Sequence, residues 1–249
     1  MIAGVFHKGS GLGDQLMRYI TVRTLAEAKG YSWGMYYPNN FKGKTFMDIS
    51  TNSPYVVLPD EIPTTFLEKD VRENGIDIRS YDPEINFVQD DTLIDGCFED
   101  EKYWGHNLDN IRNWLAVEPL KMPEDMCVIG FRGGEYYTDP NLGLPREYFD
   151  EAIEKMTSKG ITKFEVHTDD PSLAQKFFPD YVIVQDIALN WRSVRYAKHL
   201  IIANSAFYIM PALLGEAEEI IAPRYWARRN IKTWARPACY YKDKRIQYI

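Results

Sequence analysis

The second half of the chain alternates short apolar runs with segments of helical spacing, and this alternation restricts the fold more than any other feature. Runs rich in apolar and β-branched residues predict strands at 127–131, 163–167, 181–184, 200–203 and 219–222. Helices are predicted between them, from Pro145 towards Gly160 and over 172–178, 193–198 and 206–214. Strands that alternate with helices in this way form a parallel sheet with crossover helices. The sequence therefore predicts an α/β fold for this half.

The beginning of the chain also has the pattern of a strand followed by a helix. Ile2 to His7 predicts a strand, residues 8–15 form a glycine-containing loop, and residues 16–29 have the spacing of a helix that ends at Gly30. The apolar stripe of this helix is expected at Leu16, Ile20, Thr24 and Ala28. A loop between a strand and a helix N-terminus can bind an anion or a polar ligand, although an ordinary tight turn has the same pattern.

The two units are joined by a proline-containing link at 118–125, which follows a segment of helical spacing over 98–117. We expect two Rossmann-like domains, 1–120 and 121–249, with the C-terminal segment packing back across them. That segment, 223–249, carries eight Lys or Arg residues against one acid, interleaved with aromatic residues. Packing against the rest of the chain is favoured over nucleic-acid binding, because other parts of the chain are acidic.

Composition excludes several classes of function. The formal net charge of −7 argues against a general nucleic-acid-binding protein. No apolar run reaches the length of a membrane span, and no secretory leader is visible, so we expect a cytoplasmic protein without an integral membrane segment. The three cysteines and four histidines have no metal-ligand spacing. Eight carboxylates over 82–101 favour a solvated acidic surface over a metal site, so no metal is predicted.

Polar side chains follow three of the predicted strands in the second half. Arg132 follows the first with Gly133-Gly134 behind it, Thr168-Asp169-Asp170 follows the second, and Asn204-Ser205 follows the fourth. The carboxyl ends of parallel strands share one edge, where ligands of open α/β sheets bind. A fixed guanidinium suits phosphate. Each feature also has a structural interpretation: an ion pair for Arg132, an Asx turn for the aspartates and a helix N-cap for Ser205.

The loop at 8–15 matches the dinucleotide fingerprint only in part, because that fingerprint requires glycine at relative positions one, three and six. Gly9 and Gly11 fit, but Asp14 occupies the sixth position and places a negative charge where a pyrophosphate would bind. The P-loop pattern is absent from the sequence as well. A flavin or nicotinamide oxidoreductase is therefore disfavoured, and no cofactor is predicted.

The ordered set of motifs resembles the bacterial-type α-1,2-fucosyltransferases, glycosyltransferase family 11, and more distantly the α-1,6- and protein O-fucosyltransferases. The resemblance covers nearly the whole chain. It rests on Ser10-Gly11-Leu12-Gly13-Asp14-Gln15, Gly96-Cys97-Phe98-Glu99-Asp100-Glu101-Lys102-Tyr103, Gly130-Phe131-Arg132-Gly133-Gly134-Glu135-Tyr136, His167-Thr168-Asp169-Asp170, Ile201-Ile202-Ala203-Asn204-Ser205-Ala206-Phe207 and Ile221-Ala222-Pro223-Arg224-Tyr225-Trp226.

The resemblance implies a GT-B fold, in which two Rossmann-like domains face each other across a cleft. It implies an inverting, metal-independent transfer of a sugar, fucose from GDP-fucose in the usual case, to a hydroxyl of a glycan acceptor. The C-terminal domain would hold the nucleotide-sugar donor, and Arg132 would neutralise the leaving diphosphate. Donor contacts are implied for Gly11, Gly13, Arg132, Asp169, Asn190, Asn204, Ser205 and Phe207.

The chain departs from the family motifs at Gly130, Gly133, Glu135, Asp14 and Asn190. Asn190 stands where related enzymes use an aspartate to hold the base, and an amide offers a single acceptor oxygen to a guanine edge. A transferase that uses another nucleotide sugar is therefore an alternative. A second alternative is a non-catalytic nucleotide-sugar or glycan-binding protein of the same fold. Glu135 or Asp14 is hypothesised as the acceptor-activating base, with His7 as a third candidate.

Overall fold

The computed structural model describes residues 1–49, 62–69, 71–73, 76–78, 80–139, 142–230, 233–235 and 241–249. The chain divides into two compact units, Met1–Val117 and Glu118–Ile249. Each unit contains its own parallel sheet. The third cysteine, at 239, lies outside the described residues, as do residues 231–232 and 236–240 of the basic stretch at 223–249.

The N-terminal unit is built on a four-stranded parallel sheet with the strand order β2-β1-β6-β3. Its elements are β1 (Ile2–Val5), α1 (Leu12–Lys29), β2 (Trp33–Tyr36), β3 (Thr64–Leu67), β4 (Val71–Glu73), β5 (Ile76–Ile78), β6 (Thr92–Asp95) and α2 (Leu108–Trp114). Strands β4 and β5 form a separate antiparallel pair. Short 3-10 helices occupy Pro38–Asn40, Pro83–Phe87, Glu101–Tyr103 and Gly105–Asn107.

Helix α1 begins at Leu12, four residues before the predicted start, so Gly13 and Asp14 lie in its first turn and not in a loop. The predicted end is confirmed, because Gly30 adopts the left-handed conformation and its N–H bonds back to the last turn. The helix packs tightly on β1, where a Cβ at Gly4 would lie 2.6 Å from Val22. In the expected stripe Leu16, Ile20 and Thr24 are buried, whereas Ala28 is exposed.

The predicted helix over 98–117 is wrong in its extent. Phe98 has a positive φ of 52°, and Trp104 has φ −142°, so a continuous helix cannot pass through either residue. Two 3-10 turns and the short α2 take its place. The apolar periodicity of this segment indicates which residues are buried and not a continuous helix, since Trp104, Ile111 and Leu115 are all in the core.

The C-terminal unit contains a six-stranded sheet of order β14-β11-β10-β7-β8-β9, in which every neighbouring pair is parallel. Its elements are β7 (Met126–Phe131), α3 (Glu135–Thr138), α4 (Arg146–Ser158), β8 (Lys163–Thr168), α5 (Pro171–Phe177), β9 (Val182–Val184), α6 (Ile187–Tyr196), β10 (His199–Ile202), α7 (Ala206–Leu214), β11 (Glu219–Ala222), β12 (Ala227–Asn230), β13 (Thr233–Ala235) and β14 (Ile246–Tyr248). The predicted parallel sheet with intervening helices is confirmed.

Two local differences from the sequence-based prediction concern helix starts. Helix α6 begins at Ile187, six residues before the predicted start, because the Asp186 carboxylate caps it by accepting from the Leu189 N–H at 2.7 Å. The short helix α3 directly after the Gly133-Gly134 turn was not predicted. The final strand β14 pairs with β11, so the last residues complete the C-terminal sheet.

An aromatic cluster fixes the end of β7. The Phe131 ring lies 5.4 Å from that of Phe149, 5.0 Å from Phe177 and 5.5 Å from Phe178, measured between ring centroids. Phe131 is fully buried, and Arg132 is the next residue. Rigid packing of this kind holds the strand end in one position and so fixes where the Arg132 backbone lies.

Candidate functional site

Strands β10, β7 and β8 lie side by side in the sheet and end at one edge. Ile202 pairs with Gly130, and Phe131 pairs with Thr168. The polar residues that follow each strand are therefore brought together, as the sequence predicted from a parallel sheet. We call this the β7–β8–β10 edge, defined by Arg132, Asp169 and Asn204.

Arg132 binds two carboxylates at this edge. Its guanidinium forms an ion pair with Asp169 Oδ2, and its Nη2 donates to Glu135 Oε1 at 2.8 Å. The guanidinium also lies 5.1 Å from the centroid of the Tyr136 ring. The Arg132 side chain is 25% exposed and Glu135 is 73% exposed, so the cation is partly accessible and one of its partners is at the surface. The ion-pair interpretation of Arg132 is confirmed, and the guanidinium stays partly exposed at the sheet edge.

The two glycine N–H groups that follow Arg132 also point at carboxylates. Gly133 donates to Asp169 Oδ1 at 2.8 Å, and Gly134 donates to Asp170 Oδ2 at 3.2 Å. The other oxygen of Asp170 caps α5 by accepting from the Leu173 N–H at 3.0 Å, so this aspartate has a structural role as a helix N-cap and not as the predicted Asx turn. A Cβ at Gly133 would lie 2.4 Å from the Asp170 Cβ. This close approach leaves no room for a side chain at position 133 in this arrangement.

Asn190 is buried beside β8 and is bonded to that strand. Its Nδ2 donates to the Thr168 carbonyl at 3.2 Å, and its Oδ1 lies 2.9 Å from His167 Nδ1. Because the amide oxygen accepts there, His167 Nδ1 must carry a hydrogen. His167 Nε2 in turn lies 2.7 Å from Glu165 Oε1. Contact between Asn190 and a nucleoside base stays a prediction, and the structure gives this side chain an internal role that the sequence did not indicate.

The residues after β10 are buried and mostly bonded. Ser205 caps α7, since its Oγ accepts from the Phe207 N–H at 3.3 Å, so the N-cap interpretation is confirmed. Asn204 Nδ2 donates to the Leu142 carbonyl at 2.9 Å and to the Trp226 carbonyl at 2.5 Å. Within the described part of the chain, the buried Asn204 Oδ1 has no hydrogen-bond partner. An unsatisfied buried acceptor at a sheet edge is a candidate to accept from a ligand.

A buried tyrosine that the sequence did not single out lies beneath this edge. Tyr208 Oη contacts the His167 carbonyl at 2.8 Å and the Phe131 carbonyl at 3.1 Å. Its ring packs on Gly130, where a Cβ would lie 2.6 Å from the ring. Burial raises the pKa of Tyr208. The glycine in place of the motif histidine was the available sequence signal, because a glycine inside a strand indicates close approach of another group.

The N-terminal unit holds the other predicted site residues. Gly11 is the N-cap of α1, Gly13 is buried in its first turn, and Asp14 Oδ2 lies 3.4 Å from the position of a Cβ on Gly11. A separate cluster forms at the carboxyl edge of the N-terminal sheet, where His7 Nε2 lies 2.9 Å from Asp95 Oδ1. The sequence indicated His7, but its partner is distant in sequence and could not be assigned.

Two further findings concern the described residues. No three side chains among His, Cys, Asp and Glu come together there as ligands for a metal ion. No helix in the same residues is long and apolar enough to cross a membrane.

No protein-family model and no curated protein matches the chain. Solved structures do. One, described as NodZ α-1,6-fucosyltransferase soaked with GDP-fucose, is similar with a TM-score of 0.50 and 14% identity over 88% of this chain and 93% of that chain. Another, fucosyltransferase NodZ from Bradyrhizobium, has a TM-score of 0.44 and 13% identity over 88% of this chain and 94% of that chain. At such identity the first likeness shows the fold alone. The chain therefore has an α/β fold with parallel sheets, as predicted, and this fold is similar to that of the α-1,6-fucosyltransferase structure.

Proposed function

We propose that the protein is an inverting, metal-independent glycosyltransferase that moves a sugar from a nucleotide sugar to a hydroxyl of a glycan. GDP-fucose is the first donor to test, because a structure with this fold was soaked with it. The proposal also keeps the assignment to a divergent branch near glycosyltransferase family 11. One observation supports the function above all others: Arg132 presents a cation at the carboxyl edge of a parallel sheet, where α/β enzymes bind their ligands.

The proposed role of Arg132 is to stabilise the charge that develops on the leaving diphosphate. Glu135 is its more exposed partner, so a diphosphate can replace Glu135 while Asp169 continues to hold the guanidinium. Because phosphate oxygens accept paired hydrogen bonds from a guanidinium, this exchange conserves the number of bonds to Arg132.

Other residues at the β7–β8–β10 edge are proposed to contact the nucleotide-sugar donor together with Arg132. Asn204 contributes an unsatisfied amide oxygen, and the α7 N-terminus at Ser205 and Phe207 lies at the same edge. Asp169 acts through Arg132 by fixing its position. Contacts from Asn190, and those from Gly11, Gly13 and Asp14 in the N-terminal unit, stay predictions. The C-terminal unit is thus proposed to bind the donor and the N-terminal unit to serve the acceptor, without a cofactor.

A specific observation favours the second candidate, a non-catalytic nucleotide-sugar or glycan-binding protein. Arg132 faces two carboxylates, and the N–H groups of Gly133 and Gly134 are bonded to Asp169 and Asp170. Carboxylates in these positions repel a diphosphate. They therefore reduce the ability of Arg132 to neutralise the charge of a leaving diphosphate, which argues against catalysis. The two candidates differ in turnover and not in fold.

The deciding experiment measures binding and turnover on the same preparation. Thermal unfolding with GDP, UDP, ADP and CMP identifies the base, since a ligand that binds the native state raises the Tm. Donor hydrolysis and transfer to a panel of glycan acceptors are then measured for the wild type and Arg132→Ala. We expect GDP to raise the Tm and Arg132→Ala to weaken GDP binding by about 10- to 100-fold, as for a lost charge-assisted hydrogen bond. Binding without turnover of any donor would support the nucleotide-sugar-binding protein. The absence of any nucleotide binding would contradict both the transferase and the nucleotide-sugar-binding protein, and would favour a glycan-binding protein.

A further inference from the structure

A histidine and an aspartate meet at the carboxyl edge of the N-terminal sheet. His7 follows β1, and Asp95 is the last residue of β6, which lies next to β1 in the sheet. Their side chains are joined by the 2.9 Å contact between His7 Nε2 and Asp95 Oδ1. The two residues are 88 positions apart in sequence, so the pair exists because the parallel strands end together.

Arg18 holds the aspartate side of this pair. Its Nε donates to the Gly96 carbonyl at 2.6 Å, its Nη1 donates to Ser10 Oγ at 3.3 Å, and its Nε lies 3.7 Å from Asp95 Oδ1. The Arg18 side chain is 10% exposed, so this positive charge is fixed within the unit. Among the described residues, Asp95 from β6 is the charged group in contact with His7, and Arg18 from α1 lies behind Asp95.

Within the described part of the chain, only the Nε2 atom of His7 has a side-chain partner, so its Nδ1 is available to a ligand. Since the Asp95 carboxylate only accepts hydrogen bonds, His7 Nε2 carries the hydrogen and Nδ1 keeps its lone pair in the neutral ring. The His7 side chain is 41% exposed and that of Asp95 is 31% exposed, so a ligand can reach the ring. A histidine whose second nitrogen is held by a carboxylate is the arrangement of an oriented general base.

The two carboxylates predicted as the base are placed less favourably. Among the described residues, Arg132 is the side chain that binds the Glu135 carboxylate, so a diphosphate that displaces Glu135 from Arg132 also removes the contact that orients it. Asp14 lies in the first turn of α1, next to Gly11, and among the described residues no side chain orients it as Asp95 orients His7.

We propose that His7, oriented by Asp95, is the base that activates the acceptor hydroxyl, an inference that rests on the proposed glycosyltransferase function. His7 Nδ1 takes the proton of the hydroxyl as the acceptor oxygen bonds to the anomeric carbon of the donor sugar. The bond between that carbon and the diphosphate oxygen breaks, and the nucleoside diphosphate leaves with the electron pair. His7 then releases the proton to water. Asp95 is a positioning residue in this step, and Arg18 positions Asp95.

The test uses His7→Gln and Asp95→Asn, with His106→Gln as the matched control, because His106 is an exposed histidine of the same unit outside the proposed site. Transfer rates and nucleoside diphosphate binding are measured for each variant over a range of pH. We expect His7→Gln to lower kcat by about 10²- to 10⁴-fold, as for loss of a general base, and to leave nucleotide affinity within about twofold. The wild-type rate should fall as the pH is lowered, because a protonated ring cannot accept the proton.

Asp95→Asn should lower kcat less than His7→Gln and should change the pH profile, an effect that a purely structural role would not produce. His106→Gln should behave as the wild type. If His7→Gln transfers at the wild-type rate with the wild-type pH profile, the base assignment is overturned and the transferase proposal stands. If the wild type binds nucleotide but transfers nothing, the transferase proposal fails and the base assignment fails with it. Should His7→Gln not fold, Asp95→Asn provides the test: an unchanged pH profile of the transfer rate in that variant overturns the assignment of His7 and Asp95.

Discussion

Arg132 and Asp169 form an ion pair across the ends of two neighbouring strands, β7 and β8. Phe131 and Thr168 are register partners, so the residues that follow them face each other. Asp169 uses one oxygen for the guanidinium and the other for the Gly133 N–H, which leaves Glu135 as the exchangeable partner of Arg132. The pair therefore both positions the cation and partly offsets its charge.

Glu135→Gln should raise the affinity for a nucleoside diphosphate. The glutamate competes for Arg132 at an exposed position, where an ion pair contributes about 0.3–1 kcal/mol, so the gain should be about two- to fivefold. Calorimetric titration with GDP at low ionic strength measures it. Glu147→Gln, at an exposed position of α4, controls for the change in net charge. A loss of affinity in Glu135→Gln alone would show that this carboxylate helps to bind the ligand.

Tyr208→Phe should weaken donor binding, whereas Tyr148→Phe should not. Both hydroxyls are buried and bridge carbonyls of neighbouring strand ends: Tyr208 contacts Phe131 and His167, and Tyr148 contacts Ile202 at 2.7 Å and Ile221 at 3.3 Å. Removal of either hydroxyl group should lower the free energy of unfolding by about 1–2 kcal/mol. Only Tyr208 supports the residue before Arg132. Urea unfolding and GDP titration of both variants separate stability from binding, and equal effects on binding would remove the special role of Tyr208.

Gly130→Ala should destabilise the C-terminal unit by about 1–3 kcal/mol, because the new methyl group overlaps the Tyr208 ring in a packed core. Gly105→Ala is the control, since its Cβ would meet its nearest neighbour at an ordinary 3.4 Å. Chemical denaturation measures both. Equal stability of the two variants would mean that the Tyr208 ring can move away, and that it does not hold the strand end firmly.

The free energy of unfolding should fall as the pH rises above about 10, the ordinary tyrosine value. Burial raises the pKa of Tyr148 and the pKa of Tyr208, so the folded protein keeps protons that the unfolded chain releases. A raised folded-state pKa gives stability that is complete below the unfolded-state pKa and is lost above it. Urea unfolding from pH 8 to 11.5 measures the decline, which should be less steep in Tyr148→Phe. A wild-type profile in that variant would contradict this assignment.

The fold was predictable because its signals are local. Runs of apolar residues around 127–131 and 200–203 predict buried strands, and the segments between them have the periodicity of helices. The predicted helix boundaries were wrong where the backbone conformation of one residue, or one capping side chain, determines where a helix begins or ends. The positive φ of Phe98 ends the predicted helix over 98–117, and the Asp186 cap moves the start of α6.

By itself, the sequence determined the parallel C-terminal sheet and the edge at which Arg132, Asp169 and Asn204 collect, because strand periodicity and residue order are local properties of the chain. Only the tertiary structure decided which side chains bind one another there. Arg132 meets Asp169 across 37 positions, and His7 meets Asp95 across 88. These partners depend on which strands lie next to each other and in what register, and packing of the whole unit sets both.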